Sequence, residues 1–165
     1  MSEVDYSSEI LRCFSYSAET GEIYRMVTKR KRDTPGQRAE TTCGTGHLQV
    51  KVLGRRIQAH RMAWFLFYGT WPTGEIDHIN GVKTDNRIEN LRDCSKSDNQ
   101  CNRGMNRNNS SGYKGVYLHK KSGKWMARIG RQGKSYGLGY FSTPQEAYSA
   151  YCAAASNLHG EFKGV

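Results

Sequence analysis

The spacing of hydrophobic residues in the first third of the chain predicts strands. Residues 5–58 read as a series of short strands, and the period of two is clearest at Leu48, Val50 and Val52. Nearer the N-terminus, residues 14–16 and 22–25 flank the turn signal at 19–21 and predict a hairpin. We therefore expect a β-rich N-terminal part.

A helical period follows over residues 58–67, and Gly69 is expected to end that helix because glycine readily adopts the left-handed C-cap conformation. The predicted apolar face consists of Ala59, Met62, Ala63, Leu66 and Phe67. His60 and Arg61 lie off this face. For His60 we favour a structural role or a phosphate contact over a catalytic role.

The last third of the chain returns to a period of two. It predicts strands at 115–118, around Trp125 and at 134–141, followed by a helix with Thr143 as its cap. The predicted apolar stripe of this helix, which faces the sheet, consists of Ala147, Tyr151, Ala154 and Leu158. The pattern predicts a three-stranded antiparallel sheet with the helix on one face and a basic face exposed.

Residues 76–103 carry an unusual density of carboxylate, amide and imidazole groups. Buried polar groups need partners, so this density indicates a site that holds a cation and a phosphate. A strand is expected to deliver Asp77 and His78, and Asn80-Gly81 is expected to turn the chain. A second short strand is expected over residues 91–94. Ser95 is then expected to cap a short helix that carries Asn99, Asn102 and Arg103.

The order Asp77-His78-Ile79-Asn80-Gly81, Asp85-Asn86-Arg87, Asn90-Leu91 and Asn99 resembles that of the HNH endonucleases, in particular the small free-standing and intron-borne enzymes of phages. The resemblance implies a ββα-metal motif with His78 as the general base. It implies Asp77 and Asn99 as ligands of one divalent cation, and Asn90 as the residue that braces the loop and orients His78. Asn99 stands where other members often have histidine, which predicts modest affinity for the metal.

The chemistry of these residues is compatible with that assignment. A neutral imidazole, with an unperturbed pKa of about 6.5, can accept a proton from water. Mg²⁺, or Mn²⁺ in its place, prefers oxygen ligands such as those of Asp77 and Asn99. Adjacent side chains on a strand point to opposite faces, so Asp77 and His78 are expected to approach a phosphate from different sides.

The net charge of +10 in 165 residues favours a polyanion as the partner, with no small-molecule substrate. No apolar run approaches the roughly 20 residues of a membrane span, and residues 1–16 lack the features of a secretory signal. The five scattered cysteines are expected to be reduced thiols. We therefore expect a cytoplasmic protein, in a bacterial host cell if a phage encodes it, and a monomer.

Three features have competing interpretations. The basic run at 29–32 is either a solvated loop or a phosphate contact, and the glycine- and amide-rich stretch at 103–112 is either a plain tether or a segment that follows a DNA groove through Arg103 and Arg107. Zinc binding by Cys94 and Cys101 is disfavoured, because their spacing is unlike that of zinc sites and no second pair exists.

Residues 113–165 resemble the plant ethylene-response-factor (APETALA-type) DNA-binding domain. The resemblance rests on Tyr113-Lys114-Gly115-Val116, Trp125-x-Ala127-x-Ile129, Leu138-Gly139-x-Phe141, Glu146-Ala147 and Leu158-His159-Gly160. It implies that the sheet contacts duplex DNA through Lys114, Tyr117, Lys124 and Arg128. Gly137 and Arg128 depart from the plant pattern, so a sheet that binds any duplex is nearly as well favoured as one that recognises a particular site.

The sequence therefore predicts an α+β, two-domain, metal-dependent DNA endonuclease. The expected boundaries are an HNH domain at 1–104, with its ββα-metal core at 74–104, a linker at 105–112 and a DNA-binding domain at 113–165. The expected DNA contacts are Arg103, Arg107, Lys114, Tyr117, Lys124, Arg128 and Lys134. The main alternative is a DNA-binding regulator whose HNH unit is inactive; an RNA-binding protein is disfavoured because the aromatic pattern of a base-stacking platform is missing.

Overall fold

The computed structural model describes residues 3–27, 34–102, 104–105 and 108–159. The basic run at 29–32, Arg103 and Arg107 lie outside these residues. The chain forms two compact units, Met1–Cys94 and Ser95–Val165. Both units combine helices with small antiparallel sheets, which confirms the predicted α+β class. Within the described ranges, no helix is long and apolar enough to cross a membrane.

The first unit begins with helix α1, Glu3–Cys13, where the polarity pattern predicts strands. Its inner side carries Ile10 and Cys13, which are buried together with Phe14 just beyond the helix. These residues follow the i, i+3, i+4 spacing of a helix face, so the helix forms because that spacing buries them on the core. The helix is also tied to the rest of the unit by the indole Nε1 of Trp71, which donates to Ser7 Oγ at 3.1 Å.

Two antiparallel sheets follow α1. Strands β1, Phe14–Tyr16, and β2, Ile23–Arg25, form the predicted hairpin. The second sheet has the order β3-β4-β5, with strands at Glu40–Thr42, Leu48–Val52 and Arg55–Gln58. The predicted alternation in β4 is confirmed, because Leu48, Val50 and Val52 are buried in the core.

Helix α2, Ala59–Tyr68, ends where the sequence predicts. Gly69 adopts a φ of 74° and its N–H donates to Phe65 O at 2.9 Å. The buried face differs from the predicted one: His60 and Phe65 are buried, Leu66 is half-buried and Phe67 is exposed. Phe67 is 49% exposed, whereas His60 is buried at 8% exposure. The assignment of His60 to the outer face is therefore wrong, because the core of this unit extends round the helix to a group of polar residues.

Strands β6, Glu75–His78, and β7, Leu91–Cys94, pair antiparallel and confirm the two predicted strands of the polar segment. A single 3₁₀ turn, Ile88–Asn90, leads into β7. Arg61 holds the connection from α2 to β6, since its Nη1 donates to Gly74 O at 2.8 Å. The base of the hairpin is thus fixed to the helix that precedes it.

The second unit begins with helix α3, Lys96–Cys101, and the predicted cap is confirmed: Ser95 Oγ accepts from Asp98 N at 3.2 Å. Strands β8, Val116–His119, β9, Lys124–Arg131, and β10, Lys134–Phe141, form an antiparallel sheet in the order β10-β9-β8. Ser97 Oγ accepts from Gln132 N at 3.0 Å, in the turn between β9 and β10.

Helix α4, Pro144–His159, packs on this sheet as predicted. Its capping box is confirmed, because Thr143 Oγ1 accepts from Glu146 N at 3.2 Å and Glu146 Oε2 accepts from Thr143 N at 3.4 Å. The buried side of the helix carries Ala147, Tyr151 and Ala155, against Ala127 and Ile129 of β9; Ala154, predicted on the stripe, is half-buried. Small residues on the helix permit this close packing.

The residues just before β8 form hydrogen bonds within the second unit. Asn109 Nδ2 donates to Tyr113 O at 2.7 Å, and Ser111 Oγ donates to Val116 O at 2.7 Å. These contacts show that part of the stretch expected to be a linker is structured. The predicted domain boundaries themselves stay a prediction.

Candidate active site and DNA-binding face

Strand β6 ends in two adjacent polar residues that are both buried. Asp77 and His78 are each 5% exposed, and they are paired in register with Arg92 and Leu91 of β7. Neighbouring side chains on a strand point in opposite directions, and these two have different partners. The strand therefore presents a carboxylate and an imidazole to two different environments.

The carboxylate of Asp77 forms an ion pair with Arg92. Asp77 Oδ2 accepts from Arg92 Nε at 2.9 Å and from Nη2 at 2.7 Å, and both side chains are largely buried. Removal of one member of such a pair leaves the other charge buried without compensation. Arg92 is thus the group that neutralises the predicted metal ligand.

The side chain of Asn90 forms two hydrogen bonds within the loop between β6 and β7. Asn90 Oδ1 accepts from Asn80 N at 2.9 Å, and Asn90 Nδ2 donates to Asp85 O at 2.8 Å. Both ends of the loop are therefore joined through one buried amide. A catalytic role for Asn90 stays a prediction.

The carboxylate of Asp85 closes the same loop from the outside. It accepts from Arg87 Nε at 2.9 Å and from Asn80 Nδ2 at 2.8 Å. The hydrogen bond from the Arg87 guanidinium, helped by Asn80, holds the pKa of Asp85 well below its usual range. The loop keeps this charge and its geometry throughout the neutral pH range.

His78 is held by the side chain of Asn86. The distance from His78 Nε2 to Asn86 Oδ1 is 3.0 Å, and Asn86 is only 1% exposed. With a carbonyl oxygen facing it, Nε2 carries the hydrogen, so Nδ1 is the nitrogen with the lone pair. Sequence reasoning did not single out Asn86, although it lies within the Asp85-Asn86-Arg87 segment of the motif.

The backbone of Asn86 is in turn fixed by the first hairpin. Tyr16 Oη, at the end of β1, donates to Asn86 O at 2.7 Å, and burial raises the pKa of Tyr16 so that it stays protonated. Gly21, with a φ of 75°, lies so close to the backbone of Asn86 and Arg87 that a Cβ would clash there. The hairpin, far away in sequence, thus positions the residue that holds His78.

Two further histidines lie beside His78. Ring centroids of His60 and His78 are 5.1 Å apart, and those of His47 and His78 are 5.9 Å apart. One nitrogen from each of the three rings lies within 4.8 Å of the others. Burial, followed by the neighbouring His78 and His47, lowers the pKa of His60 to about 3, and burial also lowers that of His47. His47 carries no sequence signal beyond its position before β4.

Asn99, the second predicted metal ligand, lies on α3 in the second unit. It is half-buried on a helix whose start is fixed by the Ser95 cap. Cys94, considered for zinc together with Cys101, is a buried residue at the end of β7, and its thiol donates to Glu75 O at 3.5 Å. The roles predicted for Asp77, His78, Asn90 and Asn99 stay predictions.

The exposed face of the second sheet carries three of the seven predicted DNA contacts, Tyr117, Lys124 and Arg128. Lys124 and Arg128 are exposed on β9, and the register places Tyr117 opposite Met126 on the same face. Tyr117 Oη donates to Met126 Sδ at 3.3 Å, and Gly137 lies opposite Arg128 and leaves space above it. His119 and Tyr140 add an edge-on ring pair, with centroids 5.1 Å apart, to this basic face.

Two predicted contacts lie outside this arrangement. Lys134 pairs with Arg131 at the start of β10, on the side of the sheet that carries Ile129, although it is exposed at the sheet's end. Lys114 is half-buried just before β8. Both lie at the border of the face rather than on it, because the pleat alternates.

Comparison with known families identifies the two parts of the chain. Residues 58–101 match the family model of HNH endonucleases, and residues 111–161 match that of the AP2 domain. The chain therefore contains an HNH endonuclease domain followed by an AP2 domain, as the resemblance implied.

Relatives from plants and from a phage match the chain. An AP2-like ethylene-responsive transcription factor of Arabidopsis thaliana, AIL7, is 32% identical over 117 residues, which are 64% of this chain and 22% of that protein. The rice factor CRL5, from Oryza sativa subsp. japonica, is 47% identical over 53 residues, 31% of this chain and 8% of that protein. The match thus spans about a fifth or less of these plant proteins.

Protein 3.8 of Escherichia phage T7 is 28% identical over 104 residues, which cover 62% of this chain and 85% of that protein. No solved structure matches the chain.

Proposed function

We propose that the chain is a DNA endonuclease that hydrolyses phosphodiester bonds with the help of one divalent cation. The observation that carries this proposal is the end of β6, where buried Asp77 and His78 have separate partners, Arg92 and Asn86. The match of residues 58–101 to HNH endonucleases supports it. A carboxylate and an oriented imidazole are the two groups that metal-assisted hydrolysis needs.

His78 acts in this proposal as the general base. The hydrogen bond to Asn86 Oδ1 sets the tautomer, so Nδ1 accepts the proton from the attacking water. Tyr16 and Gly21 fix the backbone of Asn86, which keeps the imidazole from rotating. Asn90 acts indirectly, because it closes the loop that contains Asn86.

Asp77 and Asn99 are the proposed metal ligands. A carboxylate and an amide oxygen form a hard donor set that fits Mg²⁺ or Mn²⁺. Such a cation, when bound, stabilises negative charge on the phosphate and on the leaving oxygen. Arg92 shares the carboxylate of Asp77, so it competes for the same oxygen and makes the affinity for the metal modest.

The AP2 domain supplies the affinity for double-stranded DNA in this proposal. Residues 105–165 contain nine Lys or Arg against two Asp or Glu. We assign the contacts to Lys124, Arg128 and Tyr117 on the sheet face, with Lys114 and Lys134 at its border. We assign Arg103 and Arg107 to further contacts with the DNA backbone. The enzyme acts as a monomer, in the cytoplasm of a bacterial host if it is phage-encoded like protein 3.8 of phage T7.

One observation favours the alternative of a DNA-binding regulator without nuclease activity. The carboxylate of Asp77 already forms an ion pair with Arg92, which would neutralise it in a unit that binds no cation. The two functions differ in whether a divalent cation changes the product formed from DNA.

The conversion of supercoiled plasmid to nicked or linear DNA, measured with and without Mg²⁺, distinguishes the nuclease from the regulator. We expect conversion only with the cation, and loss of conversion in Asp77→Ala. Lys51→Gln, which removes one exposed charge from β4 and leaves the proposed base, the ligands and the loop between β6 and β7 in place, serves as the control. Full conversion in EDTA would exclude the metal assignment, and no conversion under any condition would favour the regulator.

A further inference from the structure

The three histidines of the first unit are more than the proposed hydrolysis needs. His78 alone serves as the base, yet His47 and His60 bring nitrogens to within 4.8 Å of it and of each other. They come from three separate elements, the turn before β4, the first turn of α2 and the end of β6. Packing does not require imidazoles here, because buried polar rings cost free energy unless they are partnered.

In two of these rings, one nitrogen lies within hydrogen-bond distance of an oxygen atom. His47 Nδ1 lies 3.1 Å from Thr45 Oγ1, and His78 Nε2 lies 3.0 Å from Asn86 Oδ1. In metal sites the second nitrogen of a ligating histidine is commonly held by an oxygen in this way, which fixes the tautomer and turns the other nitrogen towards the metal.

The third ring contributes an independent observation. His60 is 8% exposed, and among the described residues its Nδ1 has no hydrogen-bond partner. A buried ring nitrogen without a partner costs free energy, because the solvation it had in water is not replaced. A bound ion next to the cluster would offset this cost.

We propose that His47, His60 and His78 form a second metal site, for a borderline transition-metal ion such as Zn²⁺. This site is distinct from the oxygen site of Asp77 and Asn99, because three imidazoles suit zinc and carboxylate oxygens suit Mg²⁺. In a tetrahedral site with Zn–N distances of about 2.0–2.1 Å, the nitrogens lie roughly 3.3 Å apart. The cluster must therefore contract slightly, and the half-buried His47 is the ring with room to move.

Zinc bound at the histidine site has a consequence for DNA cleavage, and this consequence rests on the proposed function. The lone pair of His78 that binds the ion cannot accept a proton from water, so zinc inhibits the cleavage that Mg²⁺ supports. The site would then regulate the nuclease.

Cobalt and zinc binding to the full chain, without an affinity tag, tests the site in the absence of DNA. We expect one equivalent of Co²⁺ to give the intense visible bands of a four-coordinate nitrogen site, and Zn²⁺ to displace it. His47→Ala should raise the dissociation constant of Zn²⁺ more than tenfold, because loss of a ligand exceeds the roughly 10–100-fold that loss of an outer partner costs. His119→Ala, a histidine of the second unit, is the matched control and should leave the constant unchanged.

Absence of binding, a change of less than tenfold in His47→Ala, or a cysteine-to-cobalt charge-transfer band would each overturn the proposal. Folding of His47→Ala is checked by its circular dichroism spectrum, and His47→Gln replaces it if that spectrum changes.

A second experiment tests whether zinc inhibits the nuclease. It compares plasmid cleavage by the wild type and by His47→Ala in the presence of Mg²⁺, before and after addition of one equivalent of Zn²⁺. Inhibition that is abolished in His47→Ala supports the regulatory part, and cleavage unaffected by zinc overturns it. If no protein cleaves, the proposed nuclease function fails while the binding result stands. If cleavage occurs and zinc does not bind, the second site fails and the nuclease stands.

Discussion

The two units of the chain differ in where they keep their polar chemistry. In the first unit the described buried residues include His60, Asp77, His78, Asn86 and Asn90. In the second unit the described buried residues are all apolar or aromatic, such as Val116, Ala127 and Tyr151, and the basic residues Lys124 and Arg128 lie outside. Buried polar groups need partners from several elements, whereas a surface charge needs only a strand to carry it.

This difference predicts how mutations behave. In the first unit, function and stability share the same side chains, so most substitutions should change both. In the second unit they are separate, because the sheet packs on α4 through one face and meets solvent through the other. Substitutions in both units test this contrast, from the largest expected effect to the smallest.

The largest effect is expected from His78→Ala. Loss of a general base lowers the rate of cleavage by about 10²–10⁴-fold. DNA affinity should stay near that of the wild type, because the basic face lies in the other unit. Plasmid cleavage and fluorescence anisotropy with a labelled duplex measure the two quantities. A parallel loss of affinity would mean that His78 is needed for the fold rather than for the chemistry.

Arg92→Ala is expected to cost about 3–5 kcal/mol of unfolding free energy, because it removes the guanidinium that forms an ion pair with the buried carboxylate of Asp77. A divalent cation should then restore part of the stability, since it can replace the missing positive charge. The measurement is chemical denaturation with and without Mn²⁺. The double variant Asp77→Asn/Arg92→Ala, which carries no such charge, is the control and should show no cation effect. A cation effect of equal size in both variants would argue against Asp77 as a ligand.

The sequence predicted the parts of the site that depend on neighbours in the chain. Strands β6 and β7 follow from short apolar runs around Asn80-Gly81, and the cap of α3 follows from Ser95 and Asp98. Likewise, the sheet and helix of the second unit follow from clear alternation and a capping box. Such signals are local and can be read from one sequence.

What the sequence did not reveal depends on distant partners. His60 lies off the apolar stripe of α2, yet it is buried because His78 and His47 pack against it from other elements. Asn86 gains its position from Tyr16, 70 residues earlier. Helix α1 was also missed: its few buried positions have helical spacing, but Leu11, 56% exposed, obscures the period. Burial of polar groups is a property of the assembled core, which polarity patterns do not encode.

The pH dependence of the free energy of unfolding tests the contribution of the buried His60, and the expected effect is smaller than that of Arg92→Ala. The pKa of His60 is lowered from 6.5 to about 3, chiefly by burial. The folded state therefore resists protonation that the unfolded state accepts below pH 6.5, so this contribution to stability is complete above that pH and is lost as the pH falls towards 3. One proton corresponds to about 1.4 kcal/mol per pH unit, or roughly 2–3 kcal/mol between pH 6 and pH 4.

Urea denaturation in the presence of a chelator measures this loss. The His60→Gln variant, which cannot titrate, should lose less stability over the same interval than the wild type. Equal losses in the two proteins would show that carboxylates, and not His60, set the acid sensitivity of the first unit.

The smallest effect on stability is expected from Lys124→Ala/Arg128→Ala. Both side chains are exposed on β9, so the free energy of unfolding should change by no more than about 0.5 kcal/mol. Affinity for duplex DNA should nevertheless fall, and the slope of log K against log salt should decrease by about 0.9 for each phosphate that the variant no longer neutralises. Lys120→Ala/Lys121→Ala removes the same charge from the turn between β8 and β9 and is the matched control. If Lys124 and Arg128 face the DNA, their removal reduces the slope and the control changes it much less. Equal reductions would mean that the unit attracts DNA through its overall charge, and that the sheet face does not define the contact.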